Sequence, residues 1–565
     1  MNKLLKALKN DGHGASNVAL TQNGAVSNKS TLDKVLDLFA NGGAYRLKSD
    51  NEFLNLFKAA YLEDPSLTLK CIFYFRDVRG GDGQRKIFRT AMKWLANENP
   101  LLVKLNLDNF AFYGRFDDLY TLIGTPVQDE MLEYVKNQLN ADLANLQADK
   151  SVSLLGKWLA SENTSSADTR SIGSLIRNYL GLSSRDYRKM LSQLRAYIGI
   201  VETKLCQKSW AEIDYNIIPS RAAMLYRDAF KKHDGLRYAK WQNDVKTGKK
   251  GAKVNAGTLY PYDLVSRVLS GGDIATLDLQ WKALPNYLKN TEDSFICLVD
   301  TSGSMNTSAA GPGVSAMTVA VSLGLYCAER AKGPFKDHFI TFSARPTLQK
   351  IEGSSLFNKV QNLSRAAWDM NTDLEAAFDL ILNTAIRHKL SQSDLPSNLL
   401  VISDMEFDAC MRNSSLTNYE NAKRKFAQAG YKLPRVVFWK VSALSNQTPV
   451  VKNDRNTALI SGFGTGILQY LFNVDIKTPL DQMREVLNSP RYSRVITESG
   501  ISNAQVEKTT KVKSVNLKPL KVETPKNDLN SIIEKTVKDA VAKALKGKKI
   551  VDAQKRDQST GRFVK

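Results

Sequence analysis

Long apolar runs are missing from this 565-residue sequence. None reaches the ~18 to 20 residues that a bilayer-spanning helix requires. The start, "MNKLLKALKNDGHG", has no apolar signal core and no small-residue cleavage site, so an intracellular, cytoplasmic protein is expected. Cysteine is sparse. Cys71, Cys206, Cys297, Cys327 and Cys410 are odd in number and form no CxxC pair, which argues against a disulfide framework and a zinc site. The four histidines, His13, His233, His338 and His388, accompany no recognisable nucleophile, and neither a G-x-S-x-G elbow nor a Walker A loop is present. A non-enzymatic protein is the expectation.

Positive charge is abundant. Seventy-nine Lys and Arg against 57 Asp and Glu leave a net charge of +22, which favours polyanionic partners through counterion release. The excess is concentrated. Residues 167–260 hold 18 basic and 8 acidic side chains, and residues 501–565 hold 16 and 7.

Four regions are expected along the chain. Residues 1–40 are polar and Asn/Ser-rich and read as loosely ordered, up to a short helix that Ser30 could cap and Gly42 ends. Residues 41–290 are helical almost throughout. In "SRDYRKMLSQLRAYIGI", Tyr187, Met190, Leu191, Leu194, Tyr197 and Ile198 recur at spacings of three and four, and several such helices suggest a stacked, HEAT-like array or ring. From 291 to 497 apolar strands such as "SFICLVD", "HFITFS", "SNLLVISD" and "RVVFWKVSA" alternate with helices, with "PTLQKIE" as a short edge strand, which predicts a doubly wound parallel sheet. Residues 498–565 read as a basic linker, a short amphipathic helix and a disordered tail.

The strand "ICLVD" runs into "DTSGSM", where Asp300, Ser302 and Ser304 place three oxygen donors on alternate residues. Hard divalent cations such as Mg²⁺ take such ligands. In an open sheet, ligands gather beyond the carboxyl ends of the strands where strand order reverses, and "NLLVISD" ends in Asp404, with Thr372 in the loop before an intervening helix. The bland alternative is that Ser302, Ser304 and Asp404 cap local turns. Together these elements resemble the metal-ion-dependent adhesion site of a von Willebrand factor A domain. That resemblance implies that Asp300, Ser302, Ser304 and Thr372 coordinate Mg²⁺ or another divalent cation and that Asp404 takes the last acidic position, leaving room for a partner's acidic group.

The strings "FRDVRGGDGQRKIFR", "YGRFDDLY", "LLGKWLASENTSS" and the stretch from Tyr187 to Asp234 resemble an uncharacterised two-part family, helical first and von Willebrand factor A-like second. That family is in turn similar to the Ro, or TROVE, RNA-binding proteins. The resemblance spans residues 41–497 and implies a ribonucleoprotein-type protein holding single-stranded RNA ends or small structured RNA.

From the residues themselves, Arg76, Arg79, Arg85 and Lys86 surround Gly80, Gly81 and Gly83, a loop that could cradle phosphate or could be a turn held by ion pairs through Asp77 and Asp117. Further on, Arg185, Arg188, Lys189, Arg195, Arg221, Lys231 and Lys232 are interleaved with Tyr187, Tyr197, Trp210, Tyr215 and Tyr226, a pattern suited to single-stranded RNA, although core packing is the commoner role of any one aromatic. "KTGKKGAK", residues 246–253, reads as a mobile loop within reach of a polyanion. Two other functions remain in view. One is a metal-dependent module that captures a partner's carboxylate; the other is a metal-dependent nuclease or phosphatase, which lacks an evident base.

Overall fold

The structure is a computed structural model and describes residues 17–311, 313–342, 345–364, 373–409, 416–472 and 478–500. The basic segment 501–565 and Thr372 therefore lie outside the described residues. The chain forms two compact units. One comprises residues 1–128 and 204–502, the other residues 129–203 and 503–565.

The first unit begins with an antiparallel hairpin, β1 (Val18–Leu20) and β2 (Val26–Asn28). The segment expected to be loosely ordered is thus built into the fold from residue 17 onward. Its hairpin turn is tied to the sheet region: Thr21 Oγ1 donates to the Phe407 carbonyl at 2.7 Å and Asn23 Nδ2 to the Glu406 carbonyl at 2.8 Å. The helix Lys34–Gly42 follows, capped by Asp33, which accepts from the Leu36 amide at 2.9 Å. Ser30, the expected cap, instead donates to buried Asp37. This helix buries Val35, Leu36, Leu38 and Phe39. Helices Asp50–Glu63, Pro65–Arg76, Lys86–Glu98 and Leu107–Tyr113 continue the segment, and Ser220–His233, Gly235–Lys246, Pro261–Leu269 and Ile274–Lys282 follow residue 203.

A six-stranded sheet comes next: β3 (Phe295–Asp300), β4 (His338–Phe342), β5 (Thr347–Lys350), β6 (Asn398–Ser403), β7 (Arg435–Lys440) and β8 (Thr457–Ser461). The order is β5-β4-β3-β6-β7-β8, all parallel except the antiparallel edge strand β5. Every residue of β3, β6, β7 and β8 is buried, as expected where helices cover both faces. Alternation along the strands divides the core. Leu298, Val401, Val436 and Phe438 pack with Leu374, Phe378 and Phe426 of helices Leu374–Arg387 and Asn418–Gln428. Val299, on the opposite face of β3, lies against Gly324 of helix Ala316–Arg330.

The described part of the second unit is helical. Its main elements are Gln128–Gln147, Ala167–Tyr179 and Ser184–Ile198. The last buries Tyr187, Met190, Leu191 and Leu194 of the face read from the sequence, leaves Tyr197 exposed and Ile198 half-buried, begins at a Ser183 cap and ends at Gly199 with φ +70°. No helix among the described residues is long and apolar enough to cross a membrane.

Candidate metal centre and nucleic-acid interface

Parallel pairing of β3 with β6, Val299 opposite Ile402, brings their carboxyl ends together at the point where the strand order reverses. Asp300 ends β3 and Asp404 follows β6. The Asp300 carboxylate accepts from the Ser302 amide at 3.0 Å through Oδ1 and from Ser403 Oγ at 2.5 Å through Oδ2. Ser302 Oγ and Ser304 Oγ lie 3.0 Å apart. The Glu406 amide donates to Asp404 Oδ1 at 3.0 Å, whereas Asp404 Oδ2 is buried without a hydrogen-bond partner. Asp300 and Asp404 are 0% exposed and Ser302 is 1% exposed. Burial, then the neighbouring Asp404, pushes the Asp300 carboxyl up to about 7; burial raises that of Asp404 too.

Such crowding of two carboxyls, with one orphaned lone pair and two hydroxyls alongside, is the donor set a hard divalent cation would complete. No three His, Cys, Asp or Glu side chains converge on an ion position among the described residues. The candidate set has two carboxylates, and its remaining donors are hydroxyls. Met405, between Asp404 and Glu406, has φ +70°, a left-handed conformation that costs a side-chain-bearing residue energy and fixes the direction of the turn.

The loop "RDVRGGDGQRK" has its first arginine and its two aspartates turned inward. Arg76 is 1% exposed; its guanidinium pairs with buried Asp118 at 2.6 Å, and Arg89 reaches the same carboxylate at 2.8 Å. Asp77, also buried, is held by Arg491, whose Nη2 donates at 2.6 Å, and by the Tyr492 hydroxyl at 3.1 Å. Asp82 enters a nest of glycines beyond β8, where the Gly464 amide donates to Oδ1 at 3.3 Å and Oδ2 has no partner; burial pushes its carboxyl up to about 8. A side chain at Gly81 would meet the Tyr74 carbonyl, and one at Gly462, with φ +101°, would meet Asp82. The glycines of "RDVRGGDG" and of "SGFGTG" therefore serve a joint between the two loops. Of the loop's candidate phosphate ligands, Arg76 is withdrawn onto buried Asp118, and Arg79, Arg85 and Lys86 remain exposed. Desolvation, then repulsion from Arg115, lowers the Arg85 pKa to about 10. Lys86 Nζ bonds the Lys48 carbonyl.

In the second unit, Arg185, Arg188 and Lys189 are exposed on helix Ser184–Ile198. Arg195 is committed to the carbonyls of Gly156 and Leu159 and to Ser161. Residues 129–203 carry nine basic and nine acidic side chains, so the unit's described part contributes nothing to the surplus. That surplus lies in residues 204–253 of the first unit, with 12 basic against 5 acidic residues. There Arg221, Lys231 and Lys232 are exposed. A cleft of about 410 Å³ opens nearby in sequence, lined by Lys240, Lys249, Lys250 and Arg237 together with Tyr215 and Trp241. Arg237 is spent on Asp234 and on the Ile213 carbonyl, and lies 4.9 Å over the Tyr215 ring. Lys240 and Lys250 have no ion-pair partner among the described residues, and Lys249 has Asp244 at 3.2 Å. Lys249 and Lys250 fall in the run "KTGKKGAK", read from the sequence as within reach of a polyanion, whereas Lys240 lies outside it and is not singled out there.

The aromatics resolve mostly into core. Tyr187 donates to the Ala160 carbonyl, and Tyr215 packs with Phe230, Tyr238 and Trp241. Tyr197 is 38% exposed, and Trp210 stacks on His233.

Comparison with known proteins adds organisation. A Domain of unknown function (DUF2828) matches residues 21–137 and 176–293, and a Domain of unknown function (DUF7788) matches residues 294–525. The break in the first match, 138–175, falls inside the second unit. An uncharacterized protein, L728, of Acanthamoeba polyphaga mimivirus is 28% identical over 561 residues, covering 92% of this chain and 94% of that protein. The crystal structure of the Deinococcus radiodurans RO (RSR) protein superposes with a TM-score of 0.31 at 15% identity, over 80% of this chain and 93% of that one. The two matches together span both parts of the chain and meet between residues 293 and 294, next to Phe295, where the first strand of the large sheet begins.

Proposed function

We infer that this is a non-catalytic, cytoplasmic RNA-binding protein whose sheet region, read as von Willebrand factor A-like, holds a divalent cation such as Mg²⁺. The observation that carries the RNA reading is the cleft of residues 213–252, where Lys240 and Lys250, with no acid partner among the described residues, and Lys249, paired with Asp244, line one concave surface. Phosphates meet the ammonium groups there, while Tyr215 and Trp241, 4% and 8% exposed, form the floor rather than a stacking platform. Arg221, Lys231 and Lys232 extend the positive surface of the first unit, and Arg185, Arg188 and Lys189 supply one on the second. The sequence resemblance of the helical half to Ro-type proteins supports the same reading.

Asp300, Ser302, Ser304 and Asp404 would hold the cation, with Thr372 as a further donor. When bound, it would neutralise two buried carboxylates and tie the turns after β3 and β6 together. The burial of Asp300, Ser302 and Asp404 favours this stabilising role over capture of a partner's carboxylate, which needs an open coordination position.

The test is RNA affinity measured against salt. Lys240→Ala/Lys249→Ala/Lys250→Ala should weaken single-stranded RNA binding at least about tenfold and lower the log–log salt slope by about 2, from ~0.7 per lost phosphate contact. A flat salt response in the unsubstituted protein, or an unchanged slope in the variant, removes the reading. Multiple-turnover RNA cleavage with Mg²⁺ would replace it with the nuclease alternative.

A further inference from the structure

We propose that a second cavity in the first unit binds a phosphorylated small molecule of nucleotide size. It encloses about 450 Å³ between helix Lys34–Gly42, helix Asp50–Glu63 and the loop after β7, on the carboxyl side of that strand. The volume is in the range of sites that enclose small ligands and cofactors. This cavity shares no lining residue with the lysine cleft.

Three lysines, Lys29, Lys34 and Lys48, line it against two acids, Asp37 and Glu52. Both acids are already satisfied by their own turns. Asp37 accepts from Ser30 Oγ at 2.6 Å, from the Thr31 amide at 2.7 Å and from Thr31 Oγ1 at 2.8 Å. Glu52 closes a capping box with Ser49, whose hydroxyl and amide hold its carboxyl well below the usual range. The lysine contacts to them are longer, 3.2 Å for Lys34 and 3.1 Å for Lys48. An ammonium has three donors, so Lys34 and Lys48 keep capacity for a ligand.

The rear wall holds a buried ammonium, Lys440, whose charge is balanced by buried Glu406, the acceptor from cavity-lining Ser445. Lys440 is 3% exposed, and its ammonium donates to Asn41 Oδ1 at 2.8 Å and to the Ser445 carbonyl at 2.6 Å, both cavity-lining residues. It therefore orders Asn41 and the Ser445 carbonyl on the wall without being reachable. Asn55 offers an amide that can donate and accept, and Leu56, Ala59 and Leu444 give apolar surface for a ring. Clustered ammoniums with neutral polar groups and an apolar side match a phosphate attached to a flat organic body better than a bare anion.

Calorimetric titration of the full chain tests this, using ATP, ADP, AMP, inorganic phosphate, adenosine and a 5′-phosphorylated trinucleotide as probes. Saturable binding of at least one nucleotide probe is expected, with adenosine much weaker. Lys34→Ala/Lys48→Ala should weaken it about tenfold or more, and Asn55→Asp, which places a like charge against the ligand, should act in the same direction. Binding of free nucleotides assigns a mononucleotide ligand; binding confined to the trinucleotide assigns a phosphorylated RNA end, and both uphold the site. Lack of saturable binding by every phosphorylated probe, equal binding of adenosine, or unchanged affinity in both variants overturns it. Lys240→Ala/Lys249→Ala/Lys250→Ala should leave nucleotide affinity unaltered, which separates this site from the RNA cleft.

Discussion

The basic residues around Asp77 and Asp118 and those of segment 231–253 look alike in sequence and have opposite fates. In the first group Arg76, Arg89 and Arg491 are drawn onto carboxylates that are 0% exposed. In the second, Lys231, Lys232, Lys240 and Lys250 stay at the surface and meet no acid among the described residues. The difference lies in the partners. A guanidinium that finds a buried carboxylate is part of the frame; an ammonium that finds none remains available to phosphate.

The most damaging way to break this comparison is Asp118→Ala, which strands Arg76 in the interior. Loss of one partner of a buried pair costs roughly 3–5 kcal/mol. The urea midpoint should fall sharply or soluble protein should be lost, whereas stability equal to the unsubstituted protein would place Arg76 among the free basic residues after all.

Asp82 sharpens the contrast from the acidic side. Its folded carboxyl titrates near 8, against 3.8 for an ordinary aspartate, so the folded state holds the extra proton between those values. Stability from this group is fully present below about pH 4 and is lost as pH rises towards 8, at roughly 1.4 kcal/mol per unit. Asp82→Asn, which keeps shape and removes the titration, should flatten the decline of melting temperature between about pH 4 and pH 8. An unaltered slope would assign the decline to other groups.

The smallest effect concerns the cation. Mg²⁺ at ten times its dissociation constant should stabilise by about 1.4 kcal/mol. Asp404→Asn should abolish the rise in melting temperature on Mg²⁺ addition; an equal rise in the variant would move the cation elsewhere.

Much of the sheet was legible because its signals are local. Apolar runs ending in Asp300 and just before Asp404 specify buried parallel strands within a few residues. The face of Tyr187, Met190, Leu191 and Leu194 was legible for the same reason. What escaped depends on distant pairing. Nothing near Asp77 announces Arg491, 414 residues away, and nothing near Gly81 announces the glycines after β8. The strands "VAL" and "VSN" lack alternation, and their order comes from contacts with the turn after β6 and with Thr448. The aromatic interleaving was equivocal by nature, since Tyr187 and Tyr215 serve the core with the same residue type that would stack on bases.

The joint of the two glycine loops also has a consequence for synthesis. The Gly43 amide and Asp82 receive partners from Ser461 and Gly464, and Asp77 receives Arg491 and Tyr492, all from the far end of the described chain. On the ribosome, the early helices must wait, with those carboxylates still hydrated, until nearly 500 residues have emerged. Premature termination anywhere before Arg491 would thus release a nascent chain unable to close its first-made segment, a substrate for chaperones and proteases.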